Sequence, residues 1–406
     1  MEMVDSSDLF AIINDSQEYF SELILKSTKP TNRKGAGLFK PNIAAEMVGL
    51  TTASINSAER SGVCPPAPRL PDKIVGGEKK PGNREGYSLE SINILRDHFG
   101  TRPKLKLNAQ AEVIGIITQK GGVGKSGTCN NLAHSLALDG YRVLVVDGDS
   151  QGTTTSNYGY IPDVVSDGIN VSDIVKNEYG ISDESTLSPW LKGKKSSLRY
   201  AVRSTAWDGL DLLPANLSLF ATELELYAAD KYSDVSFDIY TKLQEGVDTL
   251  RGDYDVILID GPPSLSVISL NILLAADSLI IPTPPRMHDF MSTVEFLGTV
   301  AQLMDKKKYK KKFNFVKWVV TLYQPQKKHK QKPLIEKYKE ICGEKYIFET
   351  VIKNLSDIEN AFSEYLSPFE YDNVKSKDTL PMLKALGAEV AELINTFHTV
   401  DREGEK

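Results

Sequence analysis

Apolar residues follow two rhythms along this chain of 406 residues. Up to about residue 100 they recur at steps of three and four, the period of amphipathic helices. Beyond residue 110, short β-branched runs at 113–117, 143–146 and 256–259 alternate with longer helical stretches. That alternation predicts a parallel sheet flanked by helices, an α/β fold. Proline- and glycine-rich stretches at 29–37, 64–71 and 76–86 punctuate the first part, and a polar linker near 101–112 precedes the second. Three units are expected: an N-terminal helix within 1–30, a small helical unit over 37–105 and the α/β unit over 110–406. In the first, Leu9, Ile13, Ser16, Phe20 and Leu23 share a face. That stripe packs either on its own domain or against a second copy, as a dimerisation helix.

Composition narrows the class. Apolar residues at 41% and charged residues at 25% are globular proportions. A formal net charge of −6 excludes a wholly basic nucleic-acid coat, so local charge has to decide any contact with DNA. Cys64, Cys129 and Cys342 match neither zinc nor disulfide spacing, and the opening residues are acidic where a secretion signal is basic. No apolar run approaches the ~20 residues of a membrane span. A cytoplasmic protein without membrane contact is expected.

The densest chemistry lies in AEVIGIITQKGGVGKSGTCNNLAHSLALDG, residues 111–140. A buried strand runs into Gly121, Gly122 and Gly124, and a helix starts at Lys125 and Ser126. Strand, glycine loop and helix N-terminus form a nest of N–H donors aimed at phosphate oxygens. The expected nucleotide contacts are Lys120, Gly121, Gly122, Val123, Gly124, Lys125, Ser126 and Gly127. Lys125 neutralises the β/γ-phosphates and Ser126 ligates Mg²⁺. The usual loop has glycine at the place of Gln119, and Lys120 is a second lysine that a plain loop does not require. Two further strands end in acids, one in Asp147 and Asp149, the other in Asp260 before Gly-Pro-Pro. Acids at such strand ends sit at the nucleotide crevice, with Asp260 placed to hold Mg²⁺ through a water. Residues 281–290 follow an apolar strand and are a candidate wall for the base.

At these residues the chain resembles the ParA/MinD family of P-loop ATPases with a deviant phosphate loop. KGGVGKS matches the loop, DGDSQG the second motif with Ser150 where proline is common, and VILIDGPPS the third. The resemblance runs from residue 113 to the C-terminal region. It implies ATP and ADP as ligands with Mg²⁺, and a homodimer that sandwiches two nucleotides. Lys120 of each subunit then reaches the γ-phosphate held by the other, and Asp149 positions the attacking water. Lys120, Lys125 and Asp149 form the catalytic set. Ser126 and Asp260 belong to the magnesium site, with Asp147 in the magnesium shell or its support.

Residues 38–62, LFKPNIAAEMVGLTTASINSAERSG, fit a helix-turn-helix with Ala45 at the helix crossing, Gly49 in the turn and Ile55 as the anchor of the second helix. Thr52, Ser54, Asn56 and Arg60 then face outward, suited to base edges and phosphates. The following segment suggests a two-stranded wing with Lys79, Lys80 and Arg84 at its tip. A winged helix-turn-helix ahead of this ATPase resembles the large plasmid-partition ParA proteins, which repress their own operon. The C-terminal residues lack the amphipathic membrane helix of the MinD type. Residues 306–332 hold eleven lysines and no acid, against 37 bases and 54 acids elsewhere. Lys327, Lys328 and Lys330 are therefore candidates for sequence-independent DNA binding.

The expected function is ATP-driven plasmid partition with autorepression, on the nucleoid, stimulated by a ParB-type centromere-binding protein. Two alternatives share the site: a cargo-positioning ATPase of the same fold, and a nucleotide-sensing repressor without turnover.

Overall fold

The computed structural model describes residues 35–400, apart from 76–77, 81, 104–109, 163–178, 233–237, 307, 310 and 372. The helix expected within 1–30 lies outside the described residues. The helices in chain order are α1 (Pro41–Val48), α2 (Thr52–Arg60), α3 (Leu89–Phe99), α4 (Lys125–Leu138), α5 (Thr153–Asn157), α6 (Ser188–Leu191), α7 (Ser218–Tyr232), α8 (Lys242–Asp248), α9 (Val267–Ala275), α10 (Met287–Asp305), α11 (Lys328–Cys342), α12 (Ser356–Ser363) and α13 (Thr379–Val400). The strands are β1 (Lys73–Val75), β2 (Glu78–Lys80), β3 (Glu112–Ile116), β4 (Val143–Asp147), β5 (Arg203–Ser204), β6 (Leu210–Leu213), β7 (Val256–Asp260), β8 (Ser278–Thr283), β9 (Val316–Tyr323) and β10 (Ile347–Lys353).

Eight strands form one sheet in the order β10-β9-β8-β3-β7-β4-β6-β5, parallel except at the β5 edge. Strands β3, β4, β7 and β8 are buried along their whole length, as their Val, Ile and Leu content requires of a sheet covered on both faces. One face packs under α7 to α11, through residues such as Leu226, Val247, Ile272 and Phe296. The other packs under α4 and α13, through Leu132, Leu136, Val390 and Ile394. Each such side chain contributes roughly 1.5–3 kcal/mol when fully buried. The chain leaves β3 for β4, then returns to place β7 between them and β8 on the far side. The loop after β3 therefore opens at a switch in strand order, where α/β sheets hold their ligands.

The N-terminal unit has its own core of Ala44, Ala45, Val48, Ile55, Tyr87, Ile92 and Leu95. Gly49 ends α1 in the left-handed region (φ 76°), and Thr51 caps α2 by accepting from Ser54 N. The ribbon β1–β2 is antiparallel. Arg84 stands elsewhere than the sequence suggests. It lies at the ribbon's stem, bridged to Arg69, with its guanidinium 2.5 Å from the buried Glu59 carboxylate. A buried acid on α2 attracts that charge away from solvent, a long-range pairing that turn position does not encode.

One cation joins the two units. Arg96 of α3 is 3% exposed and donates to Met47 O at the end of α1 (3.0 Å), to Leu138 O at the end of α4 (2.8 Å) and to Asn93 Oδ1 (2.9 Å). Two helix C-termini, each a negative dipole end, thus share one guanidinium. Burial pushes that guanidinium down to about 10, still charged at neutral pH. Arg102 Nε adds a bond to Gly140 O (2.8 Å), and Asn93 Nδ2 one to Asp208 (2.7 Å). Replacing Arg96 by Met leaves a buried and a half-buried helix-end carbonyl unpaired and should destabilise the chain by roughly 2–4 kcal/mol in urea unfolding followed by tryptophan fluorescence. Arg96→Lys should recover part of the loss. An unchanged midpoint in both variants would show that Arg96 does not hold the two units together.

Candidate nucleotide site

The phosphate loop connects β3 to α4. Gly122 (φ 69°) and Gly124 (φ 87°) sit in the left-handed region, where a Cβ is strained, and Gly124 forms the N-cap of α4. From β9, a residue that sequence reasoning did not single out, Thr321, donates its hydroxyl to Val123 O (2.7 Å) and fixes the loop from beneath. Lys125 is 7% exposed and donates to Lys120 O (2.8 Å), so its ammonium is folded back into the loop. Burial lowers its pKa, while Asp260 and Asp149 oppose the shift.

Below the loop lie the two strand-end acids. Register pairs Asp147 with Asp260 across β4 and β7, and both are fully buried. Asp147 accepts from Thr155 N (2.8 Å), Thr155 Oγ1 (2.7 Å) and Asp149 N (3.1 Å). Its oxygens are thus occupied from within the protein, and of the two roles expected for it this geometry matches support rather than the magnesium shell. Burial, then the neighbouring Asp260, raises its carboxyl above the ordinary carboxylate range. Asp260 accepts from Thr154 Oγ1 (2.7 Å) through Oδ2, while its buried Oδ1 has no hydrogen-bond partner. Burial raises Asp260 as well, moderated by Thr154, Ser126 and Lys125. A buried carboxylate oxygen without a donor, beside a serine hydroxyl and beneath a nest of N–H groups, fits a divalent cation held with a phosphate. The residues that would hold it are Ser126 and Asp260.

Gly148 links the acids, donating to Asp260 O (2.9 Å), and a Cβ there would meet that oxygen at 2.8 Å. This close approach explains glycine between the two aspartates of DGD. Asp149 is half-buried after β4 and accepts from Gln151 N (3.0 Å). Pro263, from the turn after β7, stands against Gly121. The structure therefore gathers Lys120, Lys125, Ser126, Asp147, Asp149 and Asp260 at one end of the sheet.

Lys120 points outward, 40% exposed, and is ion-paired with Asp289 of α10, which is 4% exposed. Arg286 lies 3.8 Å from the other oxygen of Asp289. The 281–290 segment, expected from sequence as a wall for the base, thus meets the loop through its second lysine. Nothing in the local sequence marks Asp289, because its partner is 169 positions away.

Two further surfaces carry the remaining candidates. Lys327, Lys328 and Lys330 are exposed where β9 hands over to α11, the end of β9 that also carries Thr321. Gln331 pins this helix start to the strand end by accepting from Gln324 N (2.8 Å). The first turn of α11 has no acid, so several cations crowd the positive end of a helix dipole, an arrangement that an anion relieves. At the other end of β9, Lys311 turns inward to Leu274 O (2.7 Å) and Lys308 pairs with Asp238, so that lysine cluster is partly structural. In the N-terminal unit, Thr52, Ser54 and Asn56 are half-buried and Arg60 is exposed, all on α2. Lys79 and Lys80 belong to β2, paired with Ile74 and Lys73. They stand along the ribbon and not at its tip as the sequence suggests, because the turn falls before Glu78.

Comparison with known proteins agrees with this geometry. A family model described as an AAA domain matches residues 111–315, half of the chain. Protein SopA of Escherichia coli K12 is 36% identical over 276 residues, 68% of this chain and 66% of SopA, just short of two thirds of that protein. Sporulation initiation inhibitor protein Soj of Bacillus subtilis is 32% identical over 197 residues, 47% of this chain and 64% of Soj. Among solved structures, a Cyanothece McdA–ATP complex aligns with a TM-score of 0.56 at 19% identity, covering 71% of this chain and 98% of McdA. At that identity it speaks for the fold alone. No helix among the described residues is long and apolar enough to cross a membrane. The chain belongs to the AAA domain family, in the branch of the ParA proteins.

Proposed function

We propose that this chain is a Mg²⁺-dependent ATPase that drives plasmid partition and represses its own operon. The observation that carries the reading is the buried pair Asp147 and Asp260 under a phosphate loop that bears two lysines, one buried and one exposed. Mg²⁺ bound at Ser126 and Asp260 would neutralise charge that develops on the phosphates. Lys125 holds the β/γ-phosphates from inside the loop. Asp149 orients the attacking water and accepts its proton, and Lys120 stabilises negative charge on the γ-phosphate held by a second subunit.

A second subunit suits the surface around the loop. Leu217 just before α7 and Phe220, Leu224 and Tyr227 along it are 53–60% exposed at helical spacing. On α10, Met287, Met291 and Val294 form a similar stripe beside Asp289. Helices apolar on both sides are ordinarily covered. In the ATP form the dimer binds nucleoid DNA through Lys327, Lys328 and Lys330, while α2 and the ribbon with Lys79 and Lys80 read the operator. A ParB-type partner at the centromere site accelerates hydrolysis.

Lys125→Ala should lower ATP affinity at least tenfold, whereas Lys120→Ala should keep most of the affinity and lose turnover by roughly 10³-fold, the scale of a trans-acting cation. Fluorescent-nucleotide titration with single-turnover kinetics separates the two. Wild-type turnover in Lys120→Ala would end the trans role.

Asp149→Ala should bind ATP and accumulate in the ATP state, with turnover down by about 10²-fold or more. Asp260→Ala should instead lose the Mg²⁺ dependence of binding. Equal losses of ATP affinity in both would refute this division.

Two DNA activities should separate by surface. Arg60→Ala should weaken operator binding by ~1–3 kcal/mol with random duplex unaffected. Replacing Lys327, Lys328 and Lys330 with Gln should flatten the salt dependence of random-duplex binding by roughly three units of slope and leave operator choice intact. Gel-shift titrations across salt concentrations measure both, and parallel losses on both duplexes would contradict two surfaces.

A further inference from the structure

Asn56 stands on the operator-reading helix, and its side chain is half-buried because Tyr87 reaches it from below. The Tyr87 hydroxyl lies 2.9 Å from Glu59 Oε2 and 2.9 Å from the carboxamide oxygen position of Asn56. A phenol has one proton, so it cannot donate to both. Glu59 decides the competition. It is 9% exposed and also accepts from Arg84 (2.5 Å) and from Ala67 N (3.0 Å). Burial alone would raise its carboxyl, but the bonds from Arg84, Tyr87 and Ala67 outweigh that and hold it below its ordinary value. Burial, and then the bond to Glu59, raise the Tyr87 hydroxyl, so it keeps its proton.

A charged carboxylate is the stronger acceptor, and bonds to it are about twice as strong as neutral ones. The phenolic proton therefore goes to Glu59, and the Tyr87 oxygen presents a lone pair to Asn56. An amide oxygen facing that lone pair is repelled, whereas an amide NH₂ is bonded. The ends of a carboxamide are told apart by partners, not by shape. The order of donation is then Asn56 Nδ2 to Tyr87 Oη, and Tyr87 to Glu59, with Arg84 and Ala67 N completing the carboxylate.

We propose that Asn56 is a specificity-determining residue that turns its carbonyl oxygen, not its NH₂, toward the major groove, and so selects a base with an exocyclic amine. Such an acceptor suits adenine N6 or cytosine N4 and is repelled by guanine O6 and thymine O4. It is repelled by phosphate oxygens as well. Asn56 thus contributes to base choice and nothing to counterion release. Glu59 on α2, Tyr87 ahead of α3 and Arg84 at the ribbon stem are positioning residues that set this polarity. The inference rests on the reading of α2 as the operator-reading helix.

The test is selection of the full chain on a randomised duplex library, with sequencing of the bound fraction, for wild type, Asn56→Ala and Tyr87→Phe. Wild type should show one position where adenine or cytosine is favoured roughly tenfold over guanine and thymine. Asn56→Ala should erase that preference and leave the salt slope of operator binding unchanged. Tyr87→Phe, which frees the amide to turn either way while keeping the ring in the core, should broaden the same position and leave the others intact. A guanine or thymine preference lost in Asn56→Ala, or an unaltered profile in Tyr87→Phe, would overturn the polarity and leave the helix assignment standing. A wild-type library without any preferred sequence would overturn the helix assignment itself, and this inference with it.

Discussion

Two carboxylates buried side by side at the ends of adjacent parallel strands set the terms for the rest of this molecule. Asp147 and Asp260 share a register position in the middle of an eight-stranded sheet, out of reach of water. Like charges so placed are tolerated only with donors and cations arranged around them. The surrounding sequence supplies these: Thr154 and Thr155 from α5, the backbone N–H of Asp149, the Ser126 hydroxyl and the Lys125 ammonium. Gly148 follows from the same crowding, since a Cβ there would meet the Asp260 carbonyl, whereas Gly122 and Gly124 are set by their left-handed backbone. The division of labour also follows. Asp147 is fully engaged by the protein, and Asp260 keeps one buried oxygen without a hydrogen-bond partner.

The exposed lysine of the loop obeys a different constraint. Lys120 carries its charge out of the nest and is met by a buried carboxylate of α10, so the loop's two lysines differ in environment although five residues apart. At the far end of α4, the guanidinium of Arg96 closes the same helix against α1. The phosphate loop therefore begins a helix whose other end is bonded to the unit carrying α2, which gives the two halves one continuous framework.

What was legible in the sequence was local. The runs that became β3, β4 and β7 are uniformly apolar because they are buried on both faces, and the glycine spacing with the acids after each strand marked the crevice without any coordinates. Gly49 announced the turn after α1, where the backbone is left-handed. What stayed hidden was pairing at distance between residues of ordinary type. Asp289 to Lys120, Thr321 to Val123 and Arg96 to two helix ends leave no periodic trace. Arg84 was misplaced for that reason: turn position suggested solvent, while Glu59, 25 residues earlier, drew it inward. The lysine-rich stretch gave a mixed reading, since charge runs do not reveal which members, such as Lys311, fold back onto a helix carbonyl.

The central claim is that this buried acid pair, with its two lysines, makes an ATP-hydrolysing site rather than a nucleotide sensor. Phosphate release by the purified chain, with Mg²⁺ or EDTA and with or without duplex DNA and a centromere-binding partner, tests it directly. The account predicts slow release that requires Mg²⁺ and rises when DNA and partner are present together. Release no faster than in EDTA under every condition, with ATP bound, would contradict it.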